Sequence, residues 1–353
     1  MNIPIPAALT LTVLLAVFGY IMPHLTRPDL FFAVTMPPDF RGSQAGRRLL
    51  RRYRLWVGAG LLVSAALVVA SASTGNGWAA AVGLLLQMAA ATYALVDAHR
   101  LALPHATASG QMREAQLIPR RVSPSILLWA LGPLLLLAAA AFLLGAHWDR
   151  IPERVPVHWG FAGPDRWASR SPGAVYGPLL GTGIACLIMA LSCVGVLYGT
   201  RRIAVIGPSA EREMRFRHIV VRLLIAIEYA IVLPVFWLAF DALKTAPGIS
   251  SVVWLLPLAA AACFLIVLLR AGQGGSRLPV SGGDQGRPSQ PLGDRTPDVC
   301  WKWGLFYYNA CDPAILVEKR FGVGYTLNFG NRWTWIILAA LVAVIVGISV
   351  LLP

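Results

Sequence analysis

Residues Ile151–Pro172 read IPERVPVHWGFAGPDRWASRSP and lie between two apolar runs, SILLWALGPLLLLAAAAFLLGA over 125–146 and a Gly-, Leu- and Ala-rich run over 174–198. Crossing about 30 Å of hydrocarbon as a helix takes about 20 apolar residues. The polar stretch therefore reads as a connection between two membrane helices. Working outward from it, further apolar runs fall at 3–22, 55–73, 78–97, 219–241, 252–270 and 333–352. The fold class expected is an all-α integral membrane bundle of about eight transmembrane helices. Composition agrees: 57% of the 353 residues are hydrophobic and 13% charged, where an average soluble protein carries about 25% charged. The first run has no basic residue before it and no small-x-small site after it, so it reads as a membrane helix and not as a cleaved signal.

A net charge of +14 would suggest nucleic acid in a soluble protein; here its placement argues for orientation instead. The connections 23–54, 98–124, 199–218 and 270–332 hold 7, 4, 5 and 8 Lys or Arg, and the alternate set holds 5 in all. The basic set is assigned to the cytoplasm, which puts both termini outside. Cys186, Cys193 and Cys263 fall in apolar runs and Cys300 and Cys311 in a cytoplasmic segment, so no disulfide is expected. Neither Cys300 and Cys311, nor His99 and His105, nor His147, Asp149, His158 and Asp165 show a ligand spacing, so no metal is expected.

Taken in order, the chain divides into 1–124, a three-helix membrane segment; 125–198, two helices around an outer loop 147–173; 199–270, two more helices; a linker 271–298; a cytoplasmic strand module 299–332; and a last helix 333–353. Six arginines from Arg41 to Arg54 precede the second run and suit anionic lipid headgroups. TGNG at 74–77 reads as a tight turn, and Gln87 in the third run as interhelical hydrogen-bonding glue. The X-Pro steps at 152, 156 and 164 forbid helix in the outer loop. Its residues His158, Trp159, Asp165, Trp167 and Arg170 combine an imidazole, aromatic faces, an acid and a cation, the mixture of a recognition surface.

Glu228 is the one acid deep in a span, about nine residues into the sixth run, or roughly 13 Å along the axis. Intramembrane acids are functional-site candidates by default. Arg222 lies on another face of the same helix, and Pro234 permits a kink. Residues 271–298 are Gly, Ser, Pro and Gln with little bulky apolar side chain, a flexible composition. The module CWKWGLFYYNACDPAILVEKRFGVGYTLNFGNRW, 300–333, reads as short strands with a hairpin across 315–329. Lys319, Arg320 and Asn328 are its candidates for contact with a ligand or protein.

The spacing of Ile151, Pro152, Val155, Pro156, His158, Trp159, Gly163, Asp165, Trp167, Arg170, Ser171 and Pro172 resembles the short domain of unknown function in bacterial Sdp-type immunity proteins, over about 125–195. In that branch the resemblance implies protection from a secreted toxic peptide and signalling through a membrane-sequestered repressor. A second resemblance, over about 300–332, rests on Trp301, Lys302, Trp303, Gly304, Tyr307, Asn309, Asp312, Pro313, Val317, Lys319, Arg320, Gly322, Gly324, Thr326 and Asn328, with Ala310 where that domain of unknown function has Pro. Together they imply a bacterial inner-membrane protein. No nucleotide loop, catalytic triad order or nucleic-acid motif is present. The expectation is therefore envelope sensing or protection, binding rather than catalysis, with no cofactor and no nucleic acid. Its partners would be membrane lipid, an extracytoplasmic peptide or protein, and another membrane protein. The rival expectations are a proton-coupled transporter or intramembrane enzyme centred on Glu228, and a structural partner of a second membrane protein.

Overall fold

A computed structural model describes residues 5–74, 77–107, 124–160, 163–200, 208–241, 243, 255–279 and 296–351. Helix α1 (Ile5–Leu25) is followed by a tiny hairpin of β1 (Leu30–Phe31) and β2 (Val34–Thr35), then α2 (Gln44–Thr74) and α3 (Gly77–Ala102). Helix α4 (Pro124–Ala146) leads to a second hairpin, β3 (Arg154–Gly160) with β4 (Gly163–Ser169), and on to α5 (Pro172–Val194), α6 (Pro208–Asp241) and α7 (Leu255–Ala271). The chain ends with β5 (Trp301–Lys302), β6 (Phe306–Tyr307), β7 (Leu316–Glu318), β8 (Tyr325–Leu327) and α8 (Arg332–Leu351). Seven helices, α1 to α7, are long and apolar enough to cross a membrane; α8 is apolar over the shorter described length Arg332–Gly347. This is a mostly helical, multi-pass membrane protein with small β-hairpins.

Helix boundaries follow local chemistry. Ser43 accepts the Gly46 N–H at the start of α2, Ser171 accepts the Ala174 N–H ahead of Pro172 at the first position of α5, and Asn331 accepts the Trp333 N–H at the start of α8. Each supplies an acceptor to amides that the helix itself leaves bare. Helices α1, α2 and α3 pack around Ala16, Tyr53, Val57, Ala94 and Ala98, with Phe31, Phe32 and Met36 of the first connection plugging their ends. The Tyr53 hydroxyl donates to the Gly19 carbonyl at 2.8 Å. Close approach of α2 to α3 requires small residues: a Cβ on Gly60 would lie 2.4 Å from that of Ala90. Gln87 is fully buried there, and neither of its amide atoms has a partner among the described residues. The interhelical hydrogen bond expected of it is not seen among the described residues, where its Oε1 lies 3.1 Å from where a Gly60 Cβ would be.

The second group, α4 to α7, has two apolar clusters stacked along its length. One gathers Leu144, Ile151, Val155, Val175, Cys186, Val232 and Ala239; the other gathers Ala130, Cys193, Val196, Phe216, Val221, Ile225 and Leu268. The β3–β4 hairpin sits on the first cluster, and the module β5–β8 sits on the second through Leu316, Val323 and Tyr325. Hairpin and module thus occupy opposite ends of the same helices. The module also meets α1–α3, where Leu305 and Phe321 pack on the first group.

Two connections differ from the sequence reading. The segment between α4 and α5, expected as a loop of extended and turn backbone, is an antiparallel hairpin, with Val155 opposite Ala168 and Pro156 opposite Trp167. Prolines are tolerated because each strand of a two-stranded hairpin has a free edge. Within the linker, Gln273 and Gly275 are buried, and so is Thr296 near its other end; only 280–295, like the turn 75–76, lies outside the described residues.

Candidate functional site

The β3–β4 hairpin is fastened at its base. Arg170 donates from its backbone N–H to the Glu153 carbonyl at 2.7 Å, and from Nη1 to the Ile151 and Trp148 carbonyls at 2.7 and 3.2 Å. Its guanidinium lies 5.9 Å from the Trp148 ring, which stacks on Tyr176 of α5 at 6.0 Å. Arg170 is therefore a staple that closes the hairpin onto α4 and α5, with much of its hydrogen-bonding capacity spent inside the chain. Trp167 is half exposed, and Arg166 beside it is exposed. His158, Trp159 and Asp165 hold strand positions; their side chains lie outside what is described. Ile151 and Val155 turn inward and rest on Leu144, Val175 and Ala239.

Between the two apolar clusters of the second group lies Glu228, between Ile225 and Val232 along α6. It is fully buried, and neither carboxylate oxygen has a hydrogen-bond partner among the described residues. A charged carboxyl is costly to bury without partners. The next residue, Tyr229, reaches α4 with its hydroxyl at the cleft that Gly132 leaves, where a Cβ would sit 1.9 Å from it.

At the opposite end the module is built around two fully buried polar side chains. Asn328 accepts the Asn309 and Gly330 N–H groups on Oδ1, at 3.0 Å each. Its Nδ2 donates to the carbonyls of Asn309, Asp312 and Ala314 at 2.9, 3.0 and 3.1 Å. Arg320 donates to Thr296 Oγ1 at 3.1 Å, to the Ala33 carbonyl at 3.0 Å, and to the Thr296 carbonyl and the Asp298 carboxylate. Asp298 in turn accepts the Thr35 hydroxyl at 2.7 Å. Arg320 and Asn328 therefore do not present themselves to a ligand. Arg320 ties the strand module to the linker's end and to the β1–β2 turn, and Asn328 ties the module to itself. Lys319 is exposed, at the rim of a cavity of about 250 Å³ lined by Trp301, Leu305, Phe306 and Phe321. Sequence reasoning passed over Thr296, Asp298 and Gln273, because nothing in a Gly/Ser/Pro-rich stretch marks one polar residue as buried.

The module grips both helix groups. Gly304 lies against the His99 ring of α3, and His99 Nδ1 is 2.9 Å from the Phe32 carbonyl. Leu316 pairs with Thr200 after α5 and fills the space beside Gly195, where a Cβ would meet it at 2.7 Å. A single π-helical turn, Gly195–Gly199, carries that contact. Tyr325 lies 6.4 Å from Phe216 of α6, ring to ring. No cluster of three or more His, Cys, Asp or Glu that could hold a metal occurs among the described residues.

Two family models match the chain. One, described as "Domain of unknown function (DUF1648)", covers residues 135–182, from the middle of α4 through the β3–β4 hairpin into α5. The other, "Family of unknown function (DUF5808)", covers residues 312–335, from Asp312 through β7 and β8 to the start of α8. Both are narrower than the stretches over which the sequence suggested resemblance. No curated protein matches, and no solved structure does. The chain is a multi-pass membrane protein that carries two domains of unknown function, one around the β3–β4 hairpin and one in the strand module.

Proposed function

We propose that this protein senses or protects the envelope of a bacterial inner membrane, with the β3–β4 hairpin as the outer receiving surface and the strand module as the cytoplasmic responder. In this reading α1 to α8 give eight spans with both termini outside, as the excess of Lys and Arg on the module side favours. An extracytoplasmic peptide or lipid engages the hairpin near His158 and Trp167. The base of the hairpin then moves α4 to α6, and the module changes how it docks. The likeness of the hairpin sequence to Sdp-type immunity proteins favours a toxic peptide as the occupant. The observation that carries this reading is the pair of stacked clusters: Ile151 and Val155 rest on one and Leu316 and Tyr325 on the other, both built from α5 and α6.

The test needs no ligand. In the full chain with Cys300→Ser and Cys311→Ser, a thiol at Ala314→Cys reports opening of the module. Loosening the far end with Arg170→Ala is expected to change its labelling rate by about 2- to 30-fold, the range of a coupling of roughly 0.5–2 kcal/mol. An unchanged rate, with hairpin labelling raised, separates the two ends and ends the sensing model.

Glu228 favours a second reading, a proton or substrate carrier, because its carboxyl is buried without partners among the described residues. The two readings part at one substitution: coupling between hairpin and module persists in Glu228→Gln, whereas a carrier stops moving protons across reconstituted vesicles.

A further inference from the structure

A second feature lies outside that reading, on the flank of α1 and α2 at the module end. His24 in the last turn of α1 has its Nε2 2.6 Å from Arg54 Nη2 of α2. An arginine can only donate there, so His24 accepts and its remaining N–H, on Nδ1, is left to donate elsewhere. Arg277, from the start of the linker, donates to the His24 carbonyl at 2.7 Å. Arg41 is held just behind by the carbonyls of Arg27 and Leu30, each at 2.7 Å. Its guanidinium pKa is lowered by burial first, then pulled up by Asp29 and down again by Arg277. Asp29 is gripped in two-toothed fashion by Arg27, at 3.1 and 3.0 Å. Three further guanidiniums thus converge on one spot, and the Nε of Arg54 is buried without a partner among the described residues.

What lies beneath these cations is apolar. Tyr20, one turn before His24, carries the Arg54 guanidinium 4.3 Å from its ring. Val13, Val17 and Tyr20 follow on the same face of α1, each 45–47% exposed. On α2, one turn beyond Arg54, Gly58 opens onto space with nothing within 4 Å of where a Cβ would be. A positive head set over an apolar channel at the end of two membrane helices matches one chemical shape: a phosphate carrying acyl chains. We infer that His24, Arg54 and Arg277 hold the phosphate of an anionic phospholipid, with one acyl chain lying along Val17 and Tyr20 and over the open face at Gly58.

The test uses the full chain reconstituted in phosphatidylcholine with a fixed fraction of phosphatidylglycerol, and retained lipid is read by native mass spectrometry. Arg54→Gln is expected to weaken phosphatidylglycerol retention about fivefold, the equivalent of about 1 kcal/mol for one basic residue at a headgroup. Gly58→Leu leaves every charge in place and covers that open face, so retention should fall with that variant as well. Wild-type retention in both variants would overturn the site. Displacement of the lipid by inorganic phosphate alone would reassign it to a free anion and overturn the lipid assignment.

Discussion

Arg320→Met tests whether one buried cation holds the strand module down. The native guanidinium is fully buried and serves four acceptors drawn from Thr296, Asp298 and the Ala33 carbonyl. Methionine fills comparable space but donates to none of them. Among the described residues, Asp298 then keeps the Thr35 amide and hydroxyl as its donors from the first connection. Removing one partner from a buried ion pair costs about 3–5 kcal/mol. At about 1.4 kcal/mol per tenfold, opening of the module should become roughly 10²- to 10³-fold more frequent. Ala314, 5% exposed in the module's own core, is the reporter position: its cysteine variant, with Cys300 and Cys311 replaced by Ser, is labelled by a water-soluble maleimide in vesicles open on the module side. Arg320→Lys should fall between, since an ammonium cannot reach acceptors spread around a planar fork. Labelling within threefold of the parent for Arg320→Met would show that the module is held by its apolar contacts, and the argument from Arg320 would fail.

Asn328→Ala removes five hydrogen bonds at once, and leaves buried backbone groups bare at about 1–3 kcal/mol each where water cannot enter; the same maleimide assay should show the module open most of the time. Gly330→Ala places a methyl 2.5 Å from the Asn309 backbone, which cannot swing aside, so loss of the module is expected without rescue by any side-chain change. Gly132→Ala drives a Cβ into the Tyr229 hydroxyl and should lower thermal stability in detergent by about 1–3 kcal/mol, an overpacking cost; Tyr229→Phe in the same chain should restore most of it, and failure to do so would place the clash elsewhere.

The helices were legible because lipid imposes length and apolarity directly, and the alternation of basic connections told which ends share a side. The hairpin expected across 315–329 is present as β7 paired with β8, with Val317 opposite Thr326. The β3–β4 hairpin was hidden by its prolines, which argue against a central strand and say nothing against a strand with a free edge. Arg170 read as a recognition cation, yet a sequence cannot show that two carbonyls stand within reach of its guanidinium. The same holds for Arg320 and Asn328: their residue types fit a contact surface, and burial, which decides otherwise, depends on contacts with residues as distant as Ala33. Glu228 was found because an acid in an apolar run needs no neighbour to stand out.

The two-residue turn of the β1–β2 hairpin has an implication for how the protein is made. Phe32 and Ala33 both have positive φ, 49° and 65°, which side-chain-bearing residues adopt at a cost. The Phe32 carbonyl is engaged by His99, but the Ala33 carbonyl is engaged by Arg320, 287 residues later. At about 5–20 residues per second, translation leaves that carbonyl waiting for roughly 15–60 s. Through that interval the first three helices are already in the membrane with an unfinished end, where Phe31, Phe32 and Met36 lack the cover of Leu305 and Phe321. A chain interrupted before the strand module would keep this end open for good.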